Sequence, residues 1–276
     1  MLFMNIKEII CDALAPYHVD TFGVCRFDDI KKKVHRRSVD SGLPENPCAV
    51  IVMLFPYYLP VSGAVNVARY AMPDDYHNVV GGILEEAANI LRKNYPDEVF
   101  APFVDKSPIH EKEAARLAGL GVIGRNGLLI NPKYGAYAFI GTIITGLDIP
   151  AERVNPGACL GCDLCIRSCP TLAISSDGSF DPARCLSAIT QKKQTLSEWE
   201  EKMLRGHNLI WGCDTCLDRC PMNQSVAESP ISAFRGSMSP LITPNNIDNL
   251  WDLKIYNYRP KSVLLRNYSF ISKDVL

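Results

Sequence analysis

The residues best equipped for chemistry in this chain are cysteines, and their spacing is the informative part. Of 276 residues, 11 are cysteine. Cys159, Cys162, Cys165 and Cys169, with Pro170 directly after, form a C-x2-C-x2-C-x3-C-P run. Cys213, Cys216 and Cys220, with Pro221 directly after, read C-x2-C-x3-C-P, and Cys185 lies between the two runs. Eight thiolates satisfy two [4Fe–4S] clusters at four each. Three closely spaced cysteines curl the backbone around one cube so that its amides point at the sulfides. The fourth, one turn further on, points at the other cube. The spacing therefore assigns Cys159, Cys162, Cys165 and Cys220 to one cluster, and Cys169, Cys185, Cys213 and Cys216 to the other. Pro170 and Pro221 have no amide hydrogen to extend the preceding structure and are expected to end their loops.

Two other uses of cysteine compete with this reading. Structural zinc favours two separated C-x2-C pairs closing on one tetrahedron, which a single four-cysteine run does not supply. Disulfides suit an oxidising compartment, but Met1–Ile10 contains Lys7 and Glu8 and no long apolar core, so no secretory signal is read there. A reduced, cytoplasmic setting favours metal ligation. Cys11, Cys25 and Cys48 stand outside the set and are expected to be buried as small hydrophobes.

Composition sets further bounds. Hydrophobic residues make up 47%, charged residues 21%, and the net charge is −1, a globular balance. No apolar run reaches the roughly 18 residues of a membrane span. Bulk charge gives no polyanion binder, so any nucleic-acid surface must be a local patch. The basic run Lys31–Arg37 reads as a solvated loop in preference to a phosphate contact.

Alternating elements precede the cysteines. Residues 5–15 have helical spacing at Ile6, Ile9, Ile10, Ala13 and Leu14, and Pro16 stops them. Val19–Arg26 reads as a strand. Pro47–Phe55 is a continuous apolar run, as in a central strand buried on both faces. A helix over 74–94, a strand from Glu98 towards Asp105, and a helix from Ser107 as N-cap and Pro108 at its first position to about Ala118 follow. Strands are expected at Gly127–Ile130 and Tyr137–Thr145. This pattern predicts an α/β (α+β) domain over residues 1–150, a double-cluster, bacterial ferredoxin-like domain over 151–228, and a tail over 229–276 packed on the body. Gly119, Gly121 and Gly124 match G-x-G-x-x-G. They follow a helix and lead into a strand, the reverse of a dinucleotide fingerprint. The glycines either let backbone approach something flat and large or make a tight turn.

Several segments together resemble the epoxyqueuosine reductases: Ala68 to Tyr70, Asp75 to His77, Val104 to Ile130 with Asp105, Glu111, the three glycines and Asn126, then Cys169 to Ile174, Asp181 to Cys185 and Trp211 to Asn223. The resemblance covers roughly residues 5–270. It implies a cobalamin in the first domain beside two [4Fe–4S] clusters that feed it single electrons. It implies reductive removal of the epoxide oxygen of epoxyqueuosine in tRNA, within queuosine biosynthesis. Asp105 takes the position of the proton donor, with a pKa expected to be raised by burial, although an aspartate there also suits an ordinary turn. Tyr76, His77, Lys112, Gly119, Gly121, Gly124 and Asn126 fall at cofactor-side positions, and Tyr76 or His77 is next in line as proton source. The pocket-side cluster is expected to be the one with Cys169 and Cys185. A low-potential electron donor of flavodoxin or ferredoxin type is implied.

Three departures stand out. Lys112 occupies a position where the family usually has Arg, keeping charge but losing a bidentate fork. Lys106, Ile109 and His110 replace small and apolar neighbours. The family usually continues into a helical-repeat domain that contacts tRNA, whereas this sequence stops at Leu276. The expectation is a short member, with tRNA binding disfavoured. Two alternatives are a two-cluster electron carrier, which needs no first domain, and a cobalamin-dependent reductase of a small non-tRNA substrate, for example a dehalogenase, on the same scaffold.

Overall fold

The structure, a computed structural model, describes residues 5–30, 42–151, 155 and 157–271. The basic run Lys31–Arg37 lies outside the described residues. Helix α1 (Ile6–Leu14) opens on a capping box: the Asn5 side chain accepts from Lys7 and Glu8 reaches back to the Asn5 amide. Ile6, Ile9, Ile10, Ala13 and Leu14 are buried as their spacing predicts. Cys11 falls between these positions and is exposed, contrary to the expectation of a buried thiol, whereas Cys25 is buried and Cys48 half-buried.

Strand β1 (Phe22–Arg26) pairs antiparallel with β2 (Ala49–Pro56), every residue of which is buried. Helix α2 (Tyr76–Asn94) follows, capped by Asp75, whose carboxylate accepts from the His77 amide. At its far end Arg92 donates to the Phe100 carbonyl at 2.6 Å, tying α2 to β3 (Phe100–Val104). After α3 (Glu111–Leu117) come the two-residue strands β4 (Val122–Ile123) and β5 (Leu129–Ile130), paired as a hairpin, and then β6 (Ala138–Thr145). The main sheet has the order β1-β2-β6-β3 and is antiparallel throughout.

Strand parity explains the layers. Ile51, Met53 and Phe55 pack with α1 and α2, while Val50, Val52 and Leu54 pack with Ala114, Ala115 and Ala118 around α3. With helices on both faces, β2 reads as a continuous apolar run instead of an alternating one. Gly23 and Gly141 allow close approach. A Cβ on Gly23 would lie 2.3 Å from the Ala118 carbonyl, and one on Gly141 would lie 2.8 Å from Leu84 and Phe55.

The helix expected from Ser107 starts later. Asp105 takes φ 59°, and the Lys106 amide bonds to the Val104 carbonyl at 2.7 Å, so the chain turns sharply at Asp105. Ser107 and Pro108 are buried in the following loop, and His110 is the N-cap, without a side-chain bond. The glycine run straddles the end of α3 and the β4–β5 hairpin. That order agrees with the rejection of a dinucleotide fingerprint.

The cysteine segment is helical only in short pieces: α4 (Leu164–Ser168), α5 (Leu186–Thr190), α6 (Glu198–Arg205) and α7 (Thr215–Asp218). Pro221 opens a one-turn 3-10 helix, Pro221–Asn223, and so does not simply end its loop. The chain then returns along the body through α8 (Ser232–Arg235), α9 (Ile247–Leu250) and α10 (Lys261–Tyr268). Two buried asparagines close the seam. Asn66 exchanges bonds with Ile242 at 2.6 and 2.8 Å, and Asn267 donates to the carbonyls of Thr190 and Ile210 at 2.7 and 2.8 Å. Val67 bridges Trp211 in parallel, and the Ala68 amide bonds to the Trp211 carbonyl at 2.8 Å.

The packing yields a paired prediction. Gly23→Ala should lower the denaturant midpoint by the equivalent of about 1–3 kcal/mol, the usual cost of overpacking. Gly82→Ala, in α2 with nothing within 4 Å of the new Cβ, should raise stability by about 0.5–1 kcal/mol. Urea unfolding of both variants checks the pair. Equal effects would contradict the contact between α3 and β1.

Candidate functional site

The eight cysteines fall into two groups around two spaces. Cys159, Cys162, Cys165 and Cys220 line a small pocket with Gly124, Arg125, Asn126 and Met222. Cys169, Cys185, Cys213 and Cys216 line one wall of a cavity of about 400 Å³. Burial, with the crowding of Cys213, Cys185, Asp214 and Cys169, pushes the Cys216 thiol well above its ordinary value. Four thiols in so little solvent repel one another when ionised, and a cationic centre among them removes that cost. At Cys169 burial raises the pKa, but the Thr171 hydroxyl and the amides of Thr171, Ala173 and Ile174 outweigh it and hold the thiol below its ordinary value. The Ala173 amide lies 3.3 Å from this sulfur, and the Thr215 hydroxyl 3.4 Å from Cys213. Among the described residues no three His, Cys, Asp or Glu side chains converge as tightly as one metal ion needs. Zinc, for instance, holds its thiolates at about 2.3 Å. The donor chemistry and the open space inside each group fit a cluster with thiolates at its corners.

The opposite wall of the larger cavity is aromatic and apolar. Tyr57, Tyr70, Tyr76, Leu128, Ala138 and Phe139 face it. Tyr76 stacks on Phe139 at 4.0 Å with planes 9° apart, and on His77 at 4.3 Å. Asn126 also faces the cavity. Its Oδ1 accepts from Leu128 at 3.2 Å, while its buried Nδ2 has no partner. A buried donor without a partner, on a residue that borders an apolar cavity, fits a ligand that carries acceptors at its edge. The flat apolar wall, the orphaned amide and the adjacent thiols fit a large planar cofactor such as a corrin.

At the rim, Tyr76, His77 and Asp105 form one hydrogen-bonded group. The Tyr76 hydroxyl donates to Asp105 Oδ2. His77 lies between two carboxylates, with Nδ1 2.9 Å from Asp75 and Nε2 3.1 Å from Asp105. Those bonds, Asp105 first and then Asp75, outweigh burial and push the imidazole up to about 9. Burial raises the Asp105 pKa, but the bonds from His77 and Tyr76 win and hold its carboxyl below the usual carboxylate value. The expected upward shift at Asp105 is thus reversed. The acid proton of the group resides on His77, and burial, then Asp105, keep Tyr76 neutral.

Other expected positions scatter. Gly124 borders the smaller cysteine pocket. Gly119 (φ 76°) ends α3, and Gly121 packs on the Ile130 carbonyl, where a Cβ would lie at 2.4 Å. Neither lines the larger cavity, and both serve the tight turn. Lys112 donates to the Gly127 carbonyl at 2.6 Å, joining α3 to the hairpin, and is absent from both linings. Sequence reasoning missed Tyr57, Phe139 and Asp214 as cavity residues. The first two read as ordinary core aromatics near strand ends; Tyr57, directly after β2, and Phe139 in β6 reach the cavity only once the strands are paired.

Comparison with known proteins bears on this site. Residues 158–223 match the family described as "4Fe-4S double cluster binding domain", and residues 36–106 match "Epoxyqueuosine reductase QueG, DUF1730". A curated epoxyqueuosine reductase from Synechocystis sp. is 32% identical over 216 residues, which cover 74% of each chain. The chain belongs to the epoxyqueuosine reductase family. A relative from Gloeobacter violaceus is 36% identical over 164 residues, 59% of this chain and 51% of its own length. The chain spans about half the length of several curated relatives it matches. The solved epoxyqueuosine reductase from Streptococcus thermophilus superposes with a TM-score of 0.79 at 25% identity, covering 97% of this chain and 80% of that one. A family structure in complex with an epoxyqueuosine-modified tRNA stem loop shares the fold, with a TM-score of 0.79 at 20% identity, covering 96% of this chain and 80% of that one. Among the described residues no helix is long and apolar enough to cross a membrane.

The rim sets a pH dependence. His77 is raised from 6.5 to about 9, so its stabilising pairing is complete below about pH 6.5 and lost as pH rises through about 9. Asp105, lowered from 3.8, adds stability above that value that is lost in acid as the pH falls through its folded pKa. The thermal midpoint should therefore fall between about pH 6.5 and 9, and His77→Gln should flatten the upper part of that slope. Calorimetry across that range checks it. An unchanged slope in the variant would contradict the ion pair.

Proposed function

We propose that this chain is an iron–sulfur- and cobalamin-dependent reductase that removes the epoxide oxygen of epoxyqueuosine. The observation that carries the reading is the cavity itself, with four cysteines on one wall and the Tyr76–His77–Asp105 group at its rim. A bare electron carrier needs no such cavity, and an acid group at its mouth would have no task. In this reading residues 1–150 form the corrin-side domain, 151–228 the double-cluster domain and 229–276 a tail that braces both. Cys159, Cys162, Cys165 and Cys220 hold the outer cluster, and Cys169, Cys185, Cys213 and Cys216 the cavity-side one.

Tyr57, Tyr76 and Phe139 would lie against the corrin, and Asn126 would donate to its periphery. When bound, a low-valent cobalamin supplies a strong two-electron nucleophile or reductant. The remaining work falls to the chain. The aromatic wall excludes water and orients the ligand. Asp105 faces the departing oxygen and passes it a proton drawn from His77, because an alkoxide leaving group needs protonation as its charge develops. Asp75 holds the imidazole in register, as a carboxylate does for a catalytic histidine. The γ-turn at Asp105 keeps a non-glycine residue at φ 59°, and such strain is commonly retained at a site that requires it.

The tRNA stem loop bound by the structurally similar relative supports a tRNA-borne substrate for this chain too. Single low-potential electrons would come from a flavodoxin or ferredoxin type of donor, in the cytoplasm.

Two measurements test the proposal. Anaerobic reconstitution should give about eight irons per chain, and Cys216→Ser should reduce that number, whereas about four in the unmodified chain would remove one cluster. Asp105→Asn should lower turnover of epoxyqueuosine by at least ~10²-fold while leaving iron content unchanged. Undiminished turnover would take the proton donor's role from Asp105.

A further inference from the structure

Reducing an epoxide to an alkene is a two-electron, two-proton reaction. Both C–O bonds break, a C=C bond forms, and the oxygen leaves as water. The electrons come singly from the external low-potential donor through the iron–sulfur centres. The protons must come from the chain or from solvent. At the rim Asp105 is a carboxylate, Tyr76 is held neutral far from its ionisation range, and His77 carries one proton. The site as described thus stores one acid proton for a reaction that consumes two.

Glu111 is the first residue of α3, behind the Asp105 turn. Its carboxyl feels both the Asp105 amide and the Asp105 charge. Its Oε1 is buried and has no partner. An ionised carboxylate with a bare buried oxygen next to a second carboxylate is strongly disfavoured, and the neutral acid far less so. We propose that Glu111 is a neutral carboxylic acid that holds the second proton of the site and delivers it through Asp105. The inference rests on the reductase reading for its purpose, and on geometry alone for the protonation state. Glu111 acts through Asp105 and is a positioning residue in that sense.

Its electrical surroundings agree. Burial, then the Asp105 charge, push the Glu111 carboxyl up, while the Asp105 amide and His77 draw it back, leaving it at about 8. The elements packed on α3 add little. Strands β2, β4, β5 and β6 carry no charged side chain. On β1, Arg26 is paired with Asp148 at 3.3 Å, and the buried Cys25 thiol is pushed up to about 12. On the loop, Lys106 and His110 are exposed. Within α3, Lys112 is bonded to the Gly127 carbonyl and Glu113 to Arg116. At neutral pH Asp105 therefore has two protonated neighbours, His77 and Glu111. After Asp105 has given one proton to the leaving oxygen, the other neighbour reloads it, directly or across one water.

Infrared difference spectra of the cluster-loaded chain, recorded from about pH 6 to about pH 10, test this without any substrate. A protonated-acid carbonyl band should be present at neutral pH, disappear with a midpoint near 8, and be missing in Glu111→Gln. That variant keeps shape and neutrality but has no acid proton, and unchanged iron content shows that it folds. No such band at neutral pH, or its persistence in Glu111→Gln, overturns the proposal whatever the enzyme's substrate. In turnover of epoxyqueuosine, Glu111→Gln should lower the rate about 10²-fold and abolish the fall in rate above about pH 8. Glu111→Asp should recover part of both. A Glu111→Gln enzyme with the unmodified rate and pH profile would also overturn it. If no variant or parent turns over epoxyqueuosine, the substrate reading fails and the infrared result still decides the protonation state.

Discussion

Crowded thiols are the constraint on which this structure depends. Cys169, Cys185, Cys213 and Cys216 share one cavity wall, and they come from three separate stretches of chain. Holding them together requires the cysteine segment to be fastened to the sheet. The tail does this: the buried Asn66, in the loop before α2, binds backbone groups of Ile242, and the buried Asn267 of α10 binds those of Thr190 and Ile210. A buried, fully bonded amide is costly to misplace, because any slip leaves its polar atoms unpaired. The seam thus ties the cysteine wall to the aromatic wall formed by Tyr57, just after β2, with α2 and β6. It makes the three sequence regions one site.

Across the cavity the organising interaction is electrostatic. Asp75 performs two tasks with one carboxylate: it caps α2 and grips His77. The same helix start therefore positions Tyr76 against the cavity and His77 against Asp105. Asp105 is presented by the turn that ends β3, and Glu111 closes the turn from behind at the start of α3. Five side chains, Asp75, Tyr76, His77, Asp105 and Glu111, on two helix N-termini and one strand end thus set the protonation of the rim. Burial would make Asp105 a weak acid; its partners keep it ionised and move the protons to His77 and Glu111.

Much of this was legible in the sequence, for identifiable reasons. The cysteine spacing expresses the geometry of a cube, so the grouping into two sets of four could be read from x2 and x3 intervals. The helices α1 and α2 and the strand β2 were legible because burial on one or two faces writes a period into the chain. The late start of α3 was not, because Ser107 and Pro108 carry a good helix-start signature that the turn at Asp105 overrides. The two readings of the glycines, a flat ligand or a tight turn, could not be separated in the sequence, because the need for close backbone approach at Gly121 is the same whether the neighbour is a cofactor or the Ile130 carbonyl. The protonation of Asp105 could not be read, since it depends on partners 28 and 29 residues away. Glu111 appeared as one charged residue among several in α3, and only burial sets it apart.

We place a corrin in the space between the cysteine wall and the Tyr76–His77–Asp105 rim. The most direct measurement is a spectroscopic titration of the cluster-reconstituted chain with cobalamin. A saturable shift to the base-off spectrum is expected at about one cobalamin per chain, weakened when Asn126 is replaced by a residue without a donor. An unshifted spectrum at saturating cobalamin would contradict it.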